Sequence, residues 1–377
     1  MLSVVAIVAG CGSAAPSASS TARSDDPLTL PEIAIVAETL PGTLDGPWPL
    51  SIARGAHGWL LPFSDGGAVH ARLVGDDGSR DDRFIDNGTL VGAAALRDGF
   101  AVVVATAGAA RVHFLAGDGS DTVVSAPLDG DAVPAIASDG TRVLFGATHG
   151  GQVAIEQPTP LTATLTLVGR DGARVIDLGA VATAPVPWGD ARGFIVSREL
   201  LVDDNGAFSL APGHQVRDAR IFRKPIAAGT QPTSDIISLD GNGWLTIDGL
   251  VGWAGRDDAG ARLEVVTSDG RALLEVGDDL TSRSRHPLPS TTIGDGGQSW
   301  VAAVSGAHVV WASTLENDPV FAVLDMSGDA SAMQPASGVV RLAHATSRTT
   351  IVSPGEQSLL LAWTESDGAV RYSIVQW

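Results

Sequence analysis

The chain has 377 residues, of which 43 are acidic and 24 are lysine or arginine, so its formal net charge is −19. This charge argues against nucleic-acid binding, which needs clustered cations, and against a polybasic membrane patch. Glycine (45), proline (21) and an excess of aspartate over glutamate (34 to 9) are typical of turns, and no long stretch has the 3.6-residue period of an amphipathic helix. The composition therefore predicts an all-β protein.

The N-terminus begins with a short apolar run, Leu2–Gly10, which is too short to span a bilayer at roughly 20 residues per span. Its end, Val8-Ala9-Gly10-Cys11, resembles the lipobox of bacterial lipoproteins. The resemblance implies that residues 1–10 are a signal peptide and that Cys11 is lipidated. No lysine or arginine precedes the apolar run, although signal peptides carry such a charge, so we expect a start codon further upstream.

The resemblance also implies a place in the cell and a domain order. A lipidated Cys11, the only cysteine of the chain, would anchor a monomer in the bacterial cell envelope. Glycine and serine follow it instead of aspartate, which in that family implies the outer membrane, facing the periplasm or the surface. Small and polar residues over 11–27 predict a flexible tether, and 28–377 then form the folded domain.

A pattern of about fifty residues recurs through this domain: a glycine, an apolar run, and often an aromatic and a small residue. The closing positions of the seven copies are Phe63, Ala105, Phe145, Ser197, Trp253, Trp311 and Trp363. Each copy is followed by a turn and a second apolar run. Asp-Gly occurs 13 times and Asn-Gly three times, and such dipeptides between apolar runs indicate β-hairpins.

Hairpin units of this length predict a single β-propeller of seven four-stranded blades, with six or eight as alternatives. The last unit ends after its second strand, so the N-terminal run 28–38 is expected to supply its outer strand and close the ring. Two β-sandwiches are the competing architecture. The chain resembles WD-repeat and Asp-box propellers in plan, but it lacks the Gly-His and Trp-Asp pair of WD repeats, and no specific propeller family is indicated.

The second resemblance is local. The stretch from Ile293 to Trp300 is similar to the Asp-box of sialidases, with matches at Asp295, Gly297, Ser299 and Trp300 and a departure at Ile293, where serine or threonine is usual. In those enzymes the Asp-box stabilises a turn away from the catalytic face. The match therefore implies a structural role for these four residues.

Motifs of the common enzyme classes are absent, including Gly-x-Ser-x-Gly, His-Glu-x-x-His and the P-loop. The eight histidines are scattered, so no metal site and no cofactor is predicted. Aspartate pairs recur in turns, and calcium at these loops is the one alternative, because hard cations bind several oxygen ligands. The pairs are Asp76-Asp77, Asp81-Asp82, Asp203-Asp204, Asp257-Asp258 and Asp278-Asp279.

A sialidase-like glycosidase would use a tyrosine nucleophile with a glutamate partner and an arginine cluster. The single tyrosine, Tyr372, lies in the last predicted strand, and Phe222-Arg-Lys-Pro225 only partly matches the Phe-Arg-Ile-Pro motif and lies mid-chain. A hydrolase or lyase with a site at the channel mouth, such as a sialidase-like glycosidase, is the alternative function.

Trp48, Trp188 and Trp244 lie outside the repeated tryptophan position and are the candidate partner-binding residues. The favoured function is a non-catalytic module that binds a protein or a glycan; a purely structural lipoprotein is the third option.

Overall fold

The computed structural model contains strands, turns and irregular segments, and no helix among the described residues. The described residues are 32–43, 52–149, 161–181, 185–190, 193–200, 233–239, 244–248, 250–257, 260–267, 270–277, 280–287, 300–305, 308–315, 318–325, 334–342, 345, 351–354 and 358–376. In this part of the chain no helix is present that has the length and hydropathy to cross a bilayer. The all-β prediction is confirmed.

The first half of the chain forms three four-stranded sheets. Sheet 1 contains β2 (Ala53–Gly55), β3 (Gly58–Asp65), β4 (Ala68–Gly75) and β5 (Arg80–Asn87). Sheet 2 contains β6 (Thr89–Leu96), β7 (Gly99–Thr106), β8 (Ala109–Ala116) and β9 (Asp121–Pro127). Sheet 3 contains β10 (Asp131–Ser138), β11 (Val143–His149), β12 (Leu161–Gly169) and β13 (Gly172–Val181).

The second half forms four more sheets of the same plan among the described residues. Sheet 4 contains β14 (Val186–Asp190), β15 (Gly193–Leu200), β16 (Thr233–Ser238) and β17 (Trp244–Asp248). Sheet 5 contains β18 (Leu250–Asp257), β19 (Gly260–Thr267), β20 (Gly270–Val276) and β21 (Ser282–Pro287). Sheet 6 contains β22 (Trp300–Ser305), β23 (His308–Leu315), β24 (Asp318–Asp325) and β25 (Gln334–Arg341). Sheet 7 contains β26 (Ile351–Pro354), β27 (Ser358–Thr364), β28 (Val370–Gln376) and an N-terminal strand, β1 (Glu38–Leu40).

Sheets 1 to 6 are antiparallel meanders, and sheet 7 is a three-stranded meander to which β1 adds a fourth antiparallel strand. The first strands of successive sheets lie side by side, from β2 through β6, β10, β14, β18 and β22 to β26. Short hairpins make this possible. At the β3–β4 turn, for example, Gly66 and Gly67 have φ values of 57° and 89°, the left-handed conformation that a two-residue type I′ turn requires. Four-stranded meanders arranged around adjoining first strands are the blades of a β-propeller.

The hydrophobic core lies between neighbouring sheets. Leu60 and Val69 of sheet 1 pack with Val102 of sheet 2, and the other described interfaces are built in the same way. Inner strands such as β3 and β7 have consecutive buried residues and are therefore apolar on both faces, so each sheet is covered by the sheets beside it, whereas the outer strands β5 and β9 are mostly exposed.

The N-terminal strand differs in position from the sequence prediction. The run 28–38 was expected to pair with the last unit, whereas the observed strand begins at Glu38 and pairs antiparallel with Val370–Tyr372 of β28. Residues 28–31 lie outside the described residues.

One repeat copy was assigned to the wrong strand. Six of the seven closing positions lie on the second strand of a sheet, but Trp253 lies on β18, the first strand of sheet 5. The apolar content of β18 and β19 is similar, and turn residues precede both, Asp248-Gly249 before β18 and Asp257-Asp258 before β19, so composition does not distinguish the two strands. Trp253 therefore does not share the position of Trp311 and Trp363.

Candidate functional site

The structure places the predicted site residues in different parts of the chain. Cys11, Trp48, Asp295, Gly297 and Ser299 lie outside the described residues. Trp300 is the first residue of β22. Trp188 and Trp244 belong to one sheet, but β15 and β16 separate their strands, which corresponds to about 14 Å at ~4.8 Å per strand. Partner binding by these tryptophans thus stays a prediction, and Trp188 and Trp244 lie on strands that are not neighbours.

Among the described residues, Glu38, Arg72, Arg80, Asp82 and Tyr372 form an extended polar network between sheets 7 and 1, which we call the seam cluster. The Tyr372 hydroxyl donates to Glu38 Oε2 at 2.5 Å. Arg80 Nε donates to the same carboxylate oxygen at 2.5 Å and to the Tyr372 oxygen at 3.0 Å. Arg72 donates to both Asp82 oxygens at 2.6 Å, and its guanidinium carbon lies 5.7 Å from the centre of the Tyr372 ring.

Strand register explains how this cluster forms. Glu38 is the direct partner of Tyr372 in the β1–β28 pair, and Arg72 is the direct partner of Asp82 in the β4–β5 pair. Alternate residues of a strand share a face, so Arg80 projects from β5 on the same side as Asp82. Two locally paired sets therefore meet where sheets 7 and 1 pack against each other.

The cluster has the residue types of a sialidase site but not its chemistry. Tyr372 is only 1% exposed. Burial is the largest influence on the pKa of Tyr372 and raises it, and donation of its hydroxyl to the Glu38 carboxylate raises it further. A nucleophilic tyrosine needs the opposite, a low pKa and access to substrate. Both arginines already bind carboxylates of the chain, so the seam cluster is a structural connection.

A serine, a histidine and a glutamate meet in sheet 5, which sequence inspection missed. Ser284 and His286 are two residues apart on β21 and so share a face, and Ser284 is the direct partner of Glu275 on β20. Ser284 Oγ donates to Glu275 Oε2 at 2.5 Å, and His286 Nε2 lies 3.0 Å from Ser284 Oγ. Reading β21 as a strand with a Ser-x-His pair would have revealed this proximity.

This arrangement differs from a catalytic triad. In a triad the serine donates to one ring nitrogen of the histidine and the acid binds the other nitrogen. Here Ser284 donates to the acid, and His286 Nε2 lies 3.6 Å from the same Glu275 oxygen. The Ser284 hydrogen bond is the largest influence on the pKa of Glu275 and lowers it. The group therefore stabilises an ionised carboxylate and does not activate the serine.

His113 forms a second connection between sheets. This histidine of β8 is 4% exposed, and its Nδ1 lies 2.9 Å from Asp121 of the same sheet. Its Nε2 lies 3.0 Å from Asp86 of sheet 1, which is also 2.8 Å from Arg111 Nε. The ring thus links two carboxylates on different sheets.

The described aspartate pairs stabilise turns and ion pairs. Asp76, Asp77, Asp81 and Asp82 are held, in that order, by Arg54, the Ser79 backbone amide, Arg83 and Arg72. The hydrogen bonds from Ser79 lower the pKa of Asp77. Among the described residues no group of three or more histidine, cysteine, aspartate or glutamate side chains is placed to hold a metal ion. Calcium at aspartate-rich loops stays a prediction.

Comparison with known proteins finds no matching family model and no matching curated protein. Among solved structures, the WD40 domain of Toxoplasma gondii coronin is 10% identical over 93% of this chain and 89% of that chain, with a TM-score of 0.49. The β-propeller domain of Myceliophteria thermophila Cps50 (Swd1) is 9% identical over 90% and 99%, with a TM-score of 0.47. TolB from Acinetobacter baumannii is 10% identical over 82% and 61%, with a TM-score of 0.34. All three scores lie below 0.5, so the fold assignment rests on the order of the sheets and no activity is transferred.

Proposed function

We propose that the seven sheets close into a ring. Two observations support this: β26 of the last sheet lies beside β2 of the first, and β1 adds an N-terminal strand to sheet 7. Because β1 comes from the N-terminal part of the chain and completes a sheet of the C-terminal part, it links the two ends of the sheet series. Packing of the first sheet against the last also covers the apolar faces that an open series of sheets would leave exposed.

We propose that this ring is a non-catalytic module that binds a protein or a glycan. The proposal depends on one observation about the side chains that could act as nucleophiles or bases. Within the described part, Tyr372, His113 and Ser284 each bind neighbouring carboxylates of the chain. A rigid ring of sheets then presents loops for recognition. Trp188 and Trp244 on sheet 4, with Trp48, are the proposed contact residues, because tryptophan is enriched among residues that dominate binding energy.

The binding proposal is tested with the purified protein immobilised and exposed to bacterial envelope fractions. The wild type should retain a ligand that the Trp188→Ala/Trp244→Ala double variant does not, and Phe84→Ala, which removes an exposed aromatic ring from sheet 1, is the control. Protease treatment of the fractions abolishes retention of a protein ligand, and periodate abolishes retention of a glycan. Equal retention by the wild type and the double variant, or release of a chemically altered ligand, would contradict the proposal.

We propose further that Cys11 carries lipid and anchors the ring to the envelope through the tether 11–27. The support is the lipobox-like sequence and the small, polar composition of the tether. In a bacterial host fed labelled fatty acid, the full-length protein should incorporate label and sediment with membranes, whereas Cys11→Ser should do neither. An unlabelled wild type in the soluble fraction would refute the anchor without affecting the binding proposal.

A further inference from the structure

The segment 32–43, which we call the strap, connects three sheets. Near its start, the Ile33 amide donates to the Val339 carbonyl of sheet 6 at 2.8 Å. Its centre is β1, which pairs with β28 of sheet 7. Near its end, Thr43 and Ser64 of sheet 1 exchange two backbone hydrogen bonds of 2.7 and 2.9 Å. The strap therefore crosses the junction where the first and last sheets meet.

The strap has few apolar anchors. Ile33 and Ile35 pack against the core between sheets 6 and 7, and Leu40 is buried between sheets 7 and 1. Val36, between them, is 84% exposed, and β1 itself spans only three residues. Three anchors and a short ladder stabilise a segment weakly compared with the eight-residue central strands, so the polar contacts of the strap decide whether it stays bound.

Glu38 makes the ionic contacts of the strap, whose backbone also accepts hydrogen bonds of 2.9 Å from Arg72 at the Thr39 carbonyl and from Ser373 at the Val36 carbonyl. The Glu38 carboxylate accepts from the Tyr372 hydroxyl and from Arg80, and the latter also forms an ion pair with it. Both side chains of that ion pair are 38% exposed. Partly exposed ion pairs are screened by salt. The charged groups around Glu38 are Arg72, Arg80 and Asp82 on sheet 1, with Arg371 and its partner Glu365 on sheet 7.

The pH dependence of these contacts has a definite sign. The Arg80 hydrogen bond is the largest influence on the pKa of Glu38, and it keeps the pKa below its usual range although partial burial opposes it. A carboxylate with a lowered pKa stabilises the folded state at neutral pH, and this contribution is lost as the pH falls through the lowered value. The pKa of Asp82 is lowered in the same direction by Arg72.

We propose that the strap is a releasable clasp: protonation of Glu38 in acid, or screening of its ion pair by salt, detaches residues 36–43 while the sheets stay folded. Release uncovers the outer edge of β28 at Val370–Tyr372 and separates the chain end from the first sheet. This release goes beyond the proposed binding function. In it, the N-terminal segment controls whether the junction between the first and last sheets is bridged.

Hydrogen exchange of the full chain, read by mass spectrometry and corrected for intrinsic rates, tests the clasp. Amides of residues 36–43 should be protected at neutral pH in low salt. In 1 M NaCl, and separately as the pH is lowered well below the usual glutamate range, to about pH 2.5, their protection should fall about tenfold or more, the size expected for loss of hydrogen bonds to a charged group. Amides of β7, in the centre of sheet 2, should keep their protection in both conditions.

Variants assign the effect to Glu38. Glu38→Gln should lower strap protection at neutral pH and abolish most of its salt dependence, whereas Glu32→Gln, on the same strap but outside the seam cluster, should behave as the wild type. Thr39 and Arg371 are direct strand partners, so Thr39→Cys/Arg371→Cys in a Cys11→Ser background can form a disulfide. When this disulfide is oxidised, the strap should stay protected in acid and in high salt. When it is reduced, the strap should again be released.

The outcomes separate the clasp from the closed ring. Strap amides that stay protected in acid and salt, or that lose protection only together with β7, overturn the clasp and leave ring closure intact. Strap amides that are unprotected even at neutral pH in low salt overturn the clasp and remove the strap as support for ring closure, which then rests on the contact between β26 and β2.

Discussion

At the scale of single residues, the repeated glycine has a steric cause. Gly58 and Gly99 each begin the second strand of a sheet, with φ values of 152° and 156°. A Cβ at Gly99 would lie 1.9 Å from the Leu115 carbonyl oxygen, and one at Gly58 would lie 2.2 Å from that of Val74. The first hairpin of a sheet therefore brings its backbone against the third strand, and only glycine leaves room for the carbonyl.

Gly99→Ala tests this explanation. The added methyl group meets a backbone carbonyl that cannot rotate away, so the free energy of unfolding should fall by at least about 2 kcal/mol. The matched control is Gly108→Ala, where φ is 74° but no atom lies near the added carbon. That control should lose only about 1 kcal/mol from backbone strain. Urea unfolding measures both, and equal losses would show that strain alone, and not the carbonyl contact, requires the glycine.

Tyr372→Phe tests the seam cluster. The change keeps the buried ring but removes a hydroxyl that donates to Glu38 and accepts from Arg80. Because hydrogen bonds to charged groups contribute about 1.5–3 kcal/mol, urea unfolding should show a loss in that range. Ser373→Ala, which removes a neutral hydrogen bond to the Val36 carbonyl, should lose about 1 kcal/mol or less. A Tyr372→Phe protein as stable as the wild type would mean that the cluster contributes nothing to the seam.

At the scale of strands and sheets, polar side chains link sheets whose apolar faces already pack together. His113 of β8 reaches Asp86 of β5, and Arg170 near the start of β13 reaches Asp98 of the β6–β7 turn at 2.8 Å. Apolar packing is non-directional, so it permits neighbouring sheets to slide. Hydrogen bonds need a fixed geometry, and these links therefore set the register between sheets.

A double-mutant cycle on His113 and Asp86 measures one such link. Each single change to alanine leaves the remaining member of the pair without this contact in a buried place. The losses of stability in the two single variants should therefore not add up to the loss in the double variant. We expect a coupling energy of about 1 kcal/mol or more from urea unfolding. Asp81, whose partner Arg83 lies on the same strand, is the control, and its coupling to His113 should be near zero. Equal coupling in both cycles would refute a specific link between the sheets.

At the scale of the whole molecule, the sequence predicted what is local and missed what is distant. Hairpins were predictable because a turn dipeptide and its two apolar runs are contiguous, as at Gly66-Gly67. The seam cluster was not, because Tyr372 and Glu38 are 334 residues apart and only the arrangement of the sheets brings them together. Trp253 was misplaced for a different reason: composition identifies a strand but not its position within a sheet.

The net charge of −19 predicts opposite effects of salt on the whole fold and on the strap. Like charges spread over a compact body repel one another, and salt screens that repulsion, so the thermal midpoint should rise between 0.05 and 1 M NaCl. We expect a rise of about 2 °C or more, which corresponds to roughly 1.5 kcal/mol in a chain of this size.

The same screening weakens the attractive pair of Glu38 and Arg80, so strap protection should fall while the midpoint rises. Glu38→Gln isolates the two effects, because it removes the local attraction but changes the net charge by only one unit. Its midpoint should still rise with salt, and the protection of its strap should lose most of its response to salt. Calorimetry and hydrogen exchange on the same samples decide the matter. If the midpoint and strap protection change in the same direction in the wild type, the strap is governed by the overall charge of the protein and not by its own ion pair.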